Sequence, residues 1–467
     1  MRSAFLASIL LELPQKYRYD VSINFTGVFM SRLLFICLLI FTAMLISSTV
    51  SAELLWGQVV DQEGQGLSGA LVVSGSQRVV TAEDGDYLLE DPVNVVTVKR
   101  PGFRAVSVDL PDALRVELES FSPRALYLSF YGAAHDGLRN RALALIERTE
   151  LNAVVIDVKG DRGGLSYPSQ ILHAHDIGAQ NLVTLPKLSE LVADLKARGI
   201  YTIARIVVFK DNLFAEACPE FAVTDQSGRP WKDREKLGWV DPHHPEVVAY
   251  NLEVAEEAAQ LGFDEVQFDY VRFPDTSRLV FAQSNTFENR TSAINGFLRQ
   301  AKQRLDQYGV YVSADVFGYI CWNENDTYIG QHLETLLPLV DYLAPMLYPS
   351  GFSHGLPGYP SPMAAPYEMI YLSLEQAYQR TGADPRRFRP WLQAFRDYAF
   401  DRRPFRAAEI SAQIRAVDDF GGNGYMLWNA ANRYSDAGVP VGEALEVAGR
   451  SDEETPSKAQ QILPSDS

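Results

Sequence analysis

The stretch GFDEVQFDYVRFP at residues 262–274 gathers ionisable side chains onto one short β-type run. Side chains alternate across a strand, so Glu265, Gln267 and Asp269 share one side, while Val266, Phe268 and Tyr270 share the other. Asp269 ends the run. A second run, VYVSADVFG, places Asp315 at the equivalent point, and AVVIDVKG offers Asp157 and Lys159. Carboxylates held in this way supply a general acid, a base or a nucleophile. Asp269 is expected to be the nucleophile or base. Asp315 is expected to be the general acid, its pKa raised by a neighbouring carboxylate and by burial. Asp157 is the reserve for either role. Arg205, Met346, Tyr348, Gln393 and Trp428 lie at or near the ends of further β-type runs, and Arg272 and Trp322 follow such ends closely. Aromatic rings stack on pyranose faces. Tyr348, Trp428 and Trp322 are therefore expected to stack sugars, and Arg272, Lys159 and Gln393 to hold sugar hydroxyls. Glu265 is expected to form a buried ion pair with Arg205.

Positioning such a set requires many strand ends on one rim. From residue 121 the pattern alternates between strand and helix. β-type runs fall at 125–132, 153–160, 201–209, 265–271, 310–318, 341–348, 390–395 and 424–430. Helical periods lie between them, including PEVVAYNLEVAEEAAQLG, SAINGFLRQAKQRLDQYG and TYIGQHLETLLPLV, and several end in Gly as a helix C-terminus prefers. The predicted fold is a (β/α)8 TIM barrel over 121–448, whose active-site residues sit at the C-terminal strand ends. A doubly wound open sheet is the alternative. It favours a Gly-rich phosphate loop after an early strand, and Tyr131-Gly132-Ala133 is not one.

Residues 53–120 read differently, as short β-type runs separated by DQEGQG, EDGD, DPVN and RPGF. A small all-β sandwich is expected there. Within residues 1–52, Arg32, the apolar run Leu33–Ile46 and Val50-Ser51-Ala52 form a secretory signal pattern. Met30 is the expected natural start, cleavage is expected after Ala52, and the product is periplasmic or extracellular. The apolar run is short for a span of about 20 residues, so no stable membrane span remains after cleavage. The polar tail at 449–467 is expected to be disordered. The 467-residue chain carries a net charge of −17, which argues against nucleic acid and anionic membranes as partners but leaves neutral glycans open. No HExxH, CxxC or P-loop pattern occurs, no GxSxG elbow supports a serine-type hydrolase, and neither a metal nor a cofactor is expected. His173 and His175 belong to a loop and His243-His244 to a helix entry. Export would permit a bridge between Cys218 and Cys321; two free thiols are the equal alternative.

The 262–274 stretch, together with VVIDVKG, ARIVVFKD, GWVDPHHPEV, SADVFG and DYLAPMLYPS, resembles the DUF4015 glycoside hydrolase family over about 122–435. That resemblance implies a TIM barrel that cleaves glycosidic bonds in a carbohydrate substrate. The 53–120 segment resembles the carboxypeptidase regulatory-like domain, which implies an accessory module of seven strands. A more distant similarity is to chitinase-like barrels of glycoside hydrolase family 18. Asp264, Asp269 and Met346-Leu347-Tyr348 match their strand-four and strand-six motifs. Gln267 replaces the middle Asp of that strand-four motif, and Val271 replaces its acid Glu, so the substrate-assisted chitinase mechanism is not implied. The rival expectation is a non-catalytic carbohydrate-binding protein of the cell envelope.

Overall fold

The structure, a computed structural model, describes residues 54–442. The expected leader, the Met30 start, the Ala52 cleavage point and the polar tail lie outside those residues. No helix among the described residues is long and apolar enough to cross a membrane.

The amino-terminal part forms two facing sheets. In one, Leu54–Val60 lies between Asp86–Glu90 and Arg115–Glu117; in the other the order is Gln77–Val80, Leu71–Ser74, Val95–Lys99, Val106–Asp109. Alternation along these strands turns Val59, Val72, Leu89, Val96, Val98 and Val116 into a shared core. Arg115–Glu117 has too few residues to show that alternation, and the sequence did not reveal it.

The second part is a closed barrel of eight parallel strands: Arg124–Leu128, Ala153–Lys159, Tyr201–Val207, Glu265–Asp269, Tyr311–Phe317, Tyr342–Met346, Trp391–Gln393 and Tyr425–Trp428. They are called strands one to eight below. Closure is made where strand eight pairs with strand one, Met426 opposite Ala125 and Leu427 opposite Leu126. That pairing excludes the open sheet. Each strand is buried on both sides. Outward residues such as Val154, Ile156, Val266 and Phe268 pack under the helices. Ala125, Val155, Ile203, Tyr201, Tyr311, Tyr342 and Trp391 fill the interior.

Two local expectations are corrected. Strand one stops at Leu128, because Ser129 caps a helical turn at Phe130–Ala134. Between strands five and six only Leu333–Leu336 is α-helical. Asp326 explains this. Its carboxylate accepts the backbone N–H groups of Tyr328 and Gly330 and pairs with Arg290 at 2.6 Å. Thr327 and Tyr328 are left-handed, with φ of 56° and 59°, and no helix starts before them.

The sandwich closes the amino-terminal end of the barrel. Tyr311 and Tyr342 open strands five and six, and their hydroxyls accept the N–H groups of Arg100 and Gly102 at 3.1 and 3.0 Å. Lys99, fully buried, reaches across to Asp306 at 2.9 Å and Asp341 at 3.3 Å. Although burial opposes it, Lys302 and Lys99 hold the Asp341 carboxyl far below the usual carboxylate range. Its contribution to stability is therefore present at neutral pH and is lost on acidification below that range. Lys99→Met is expected to cost about 3 kcal/mol, since removing one partner strands buried charge. Urea unfolding at neutral pH measures this; an unchanged midpoint would rule out an energetic role for the clamp.

Candidate active site

At the carboxyl end of the barrel a guanidinium gathers the acidic residues. Arg205, pointing inward from strand three, places Nη1 2.6 Å from Asp157 Oδ1. Its Nη2 and Nε lie 2.5 and 3.0 Å from Asp269 Oδ2. The same Nε is 4.0 Å from Asp315 Oδ2. Trp428 and Tyr127 stack on each other at 4.0 Å, and both lie against the guanidinium. Burial pulls the Arg205 pKa down, but Asp269 and Asp157 hold it well above its ordinary value. Tyr127 donates its hydroxyl to Asp157 Oδ2 at 2.5 Å. The Asp157 carboxyl is raised by burial, against the lowering effects of Arg205 and Tyr127.

Asp315 sits deepest. Its Oδ1 accepts Trp391 Nε1–H at 2.7 Å, while its buried Oδ2 has no hydrogen-bond donor. Burial, then the nearby charge of Asp269, push Asp315 well above the usual carboxylate range; Arg205 and the Trp391 bond act the other way. With no donor to stabilise charge on Oδ2, the hydrogen bonding there acts in the same direction as burial. Trp391→Phe removes the donor to Oδ1 and with it a lowering influence. Asp315 is then expected to titrate at higher pH than in the wild type. Carbon NMR of labelled aspartates reads this directly; an unmoved or lowered titration contradicts the assignment.

Asp269 ends strand four at a strained turn. Tyr270, the next residue, has φ of 49°, which is uncommon for a non-glycine residue. The reversal lets Tyr270 N–H donate to Asp269 Oδ1 at 2.6 Å. Asp269 is also the most accessible of the three carboxylates, with 10% of its side chain exposed against 6% for Asp157 and 1% for Asp315. Arg272 then folds back among the rings of Trp239, Tyr270 and Phe317, at 4.9, 5.0 and 4.6 Å. No carboxylate pairs with it among the described residues. Tyr348 borders the same space: burial, then Asp315 and Asp269, raise its phenol well above the ordinary value. Met346, one step inside, is paired with Trp391 across strands six and seven.

Other expected site residues are placed elsewhere. Lys159 turns away from the mouth. Strand two carries an extra residue at Val158, since Arg205 pairs with Asp157 but Ile206 with Lys159. The slip sends Lys159 outward, to Asp211 at 2.7 Å and Asn251 at 3.0 Å. Trp322 is fixed to the outer helix Pro366–Thr381 through Ser373 Oγ at 2.9 Å. Gln393 is fully buried, and its amide braces the loop after strand six through Ser350. Glu265 does form a buried ion pair, but with Arg389 at 2.7 Å rather than Arg205, four residues before Asp269 on strand four. Cys218 and Cys321 are free, and burial raises the Cys321 thiol to about 12. His173 packs its ring on Phe214 and Tyr250.

Tyr127 and Trp391 were not foreseen. Both share the inward parity of their strands, Tyr127 with Ala125 and Trp391 with Gln393, so parity was the available signal.

A closed parallel barrel with carboxylates and aromatics at its carboxyl-terminal mouth defines a glycosidase-type TIM barrel. Residues 125–434 match DUF4015, described as "Putative glycosyl hydrolase domain", and the chain belongs to that family. A hypothetical protein from Ruminiclostridium thermocellum ATCC 27405 is 36% identical, covering 41% of this chain and 97% of its own, with a TM-score of 0.37. The glycoside hydrolase domain of PgaB (BpsB) from Bordetella bronchiseptica is 15% identical, covering 67% of this chain and 95% of its own, with a TM-score of 0.51. It shares the fold. A chitinase from Chromobacterium violaceum ATCC 12472 is 14% identical, covering 68% and 96%, with a TM-score of 0.40. No curated protein matches the chain.

Proposed function

We propose that this is an exported glycosidase whose chemistry runs on Asp269 and Asp315. The observation that carries the reading is the shared Arg205 contact. It holds the more accessible carboxylate beside a deeply buried carboxyl whose pKa burial and charge raise. Asp269 faces the substrate and acts as nucleophile or base. Asp315 serves as the proton source, and Asp157 fixes the opposite arm of Arg205. Two carboxyl groups driven apart in pKa are what acid and base roles require. Tyr348 and Trp428 supply the stacking surfaces. Sugar hydroxyls meet the aromatic-walled Arg272 beside Asp269. The periplasmic or extracellular address rests on the signal pattern at residues 30–52. The test is a hydrolysis screen of mature protein on bacterial envelope polysaccharides and exopolysaccharides beside its Asp269→Asn variant. Release of reducing ends by the wild type alone supports the reading; none from any glycan overturns it.

One observation favours a second reading. Arg205 neutralises the carboxylates at the mouth, which also suits a glycan-binding protein without turnover. Binding that survives both Asp269→Asn and Asp315→Asn, with no hydrolysis by the wild type, selects it.

A further inference from the structure

The loops after strands seven and eight enclose a cleft of about 360 Å³. Arg396, Arg406 and Arg433 line it, and no Asp or Glu does. All three are exposed, and none forms an ion pair among the described residues. Only Arg396 spends a guanidinium hydrogen bond nearby, Nη1 donating to Arg402 O at 2.5 Å. The acidic neighbours are occupied elsewhere. Asp397 accepts the Ser350 hydroxyl and four backbone N–H groups. Asp401 pairs with Arg403, Asp436 with Arg148, and Glu409 caps the Arg406 N–H. Three unpaired guanidinium groups sharing one cleft repel one another and lower the affinity for further cations. On a chain of net charge −17 their concentration is a local reversal of sign.

Phe395 links the cleft to the mouth. It lines the cleft and also meets Tyr348 edge-on at 5.4 Å, while Tyr398 lies parallel to Phe395 at 6.0 Å. A sugar chain leaving Tyr348 over this pair of rings arrives at the arginines. We infer that the cleft is a substrate subsite for a negatively charged substituent — carboxylate, sulfate or phosphate — on a glycan bound at the mouth. Arginine forks suit all three anions, which accept paired N–H groups. The inference rests on the glycosidase reading only for the identity of the mouth.

The test uses the full mature chain in its Asp269→Asn form, so that probes are not consumed. Calorimetry compares a uronide, a sulfated and a phosphorylated oligosaccharide, each with its uncharged counterpart. At least one anionic member is expected to bind about tenfold more tightly than its counterpart, a difference of ~1.4 kcal/mol. The preference is expected to weaken with added salt. Arg406→Gln combined with Arg433→Gln is expected to erase it and leave binding of the uncharged probes unchanged. No anionic preference in the panel, or a preference that survives the double substitution, overturns the inference. An arginine-dependent preference without hydrolysis by wild-type protein would leave the subsite standing and remove the glycosidase reading. Hydrolysis of neutral glycans with no anionic preference would do the reverse.

Discussion

Asp269→Asn is expected to lower kcat on a cleaved glycan by about 10²–10⁴-fold, the range for removing a positioned acid–base group. KM is expected to change little, because Tyr348, Trp428 and Arg272 remain to bind sugar. The fold should survive. Asn keeps an acceptor for the Tyr270 N–H, and Arg205 keeps its 2.6 Å contact with Asp157. A second effect follows from the coupling of the two carboxyls. The charge of Asp269 is one of the forces raising Asp315. Removing it should let Asp315 ionise at lower pH, where it also compensates Arg205. The paired measurement is steady-state kinetics with carbon NMR titration of Asp315. Full activity in a folded variant would refute the catalytic role, and an unchanged Asp315 titration would refute the coupling.

Arg205→Met is expected to be the most damaging single change to stability near the mouth, at about 3–5 kcal/mol, because it leaves buried carboxylates without their cation. The loss should depend on pH in a definite direction. Burial already raises Asp157 and Asp315, and Arg205 opposes the rise in both. Without it they bind protons more tightly in the folded state than in the unfolded chain. A raised folded pKa gives stability that is present below the ordinary carboxylate value and lost as pH rises through the folded value. The variant should therefore approach the wild type in mildly acidic solution and fall furthest behind it at neutral and alkaline pH. Arg205→Lys keeps the charge but not the fork, and should lie between. Urea unfolding across that pH range, with all three proteins, decides it; a pH-independent difference would show that the arginine acts through packing alone.

The barrel was legible because its signals are long. Strands such as AVVIDVKG and YTIARIVVF are buried on both sides, and period-3.6 helices separate them. The rim position of Asp269 followed from its strand end, and the inward direction of Asp315 from side-chain parity; its depth, two residues before the end of strand five, did not. Parity failed where the backbone broke step. The extra residue at Val158 turned Lys159 outward, a displacement invisible without the partner strand. Partner choice was equally hidden. Glu265 pairs with Arg389, 124 residues away, because strand stagger sets which inward residues share a layer. Trp322 looked like a rim aromatic only because it follows strand five closely in sequence. Its hydrogen bond to Ser373 on an outer helix is a long-range contact. The Arg205 hub required knowing that three separate strand ends converge within reach of one side chain.

The Lys99 clamp has a practical meaning for fragments of this protein. Composition draws a border near residue 120, yet charge balance does not respect it. Asp306 and Asp341 belong to the carboxyl-terminal part, while two of their counter-ions, Lys99 and Arg78, come from the amino-terminal part. Excising the barrel would uncover the Tyr311 and Tyr342 hydroxyls and leave Lys302 to balance both acids. The two folds are thus not interchangeable modules, and the smallest portable unit for truncation, fusion or grafting contains both.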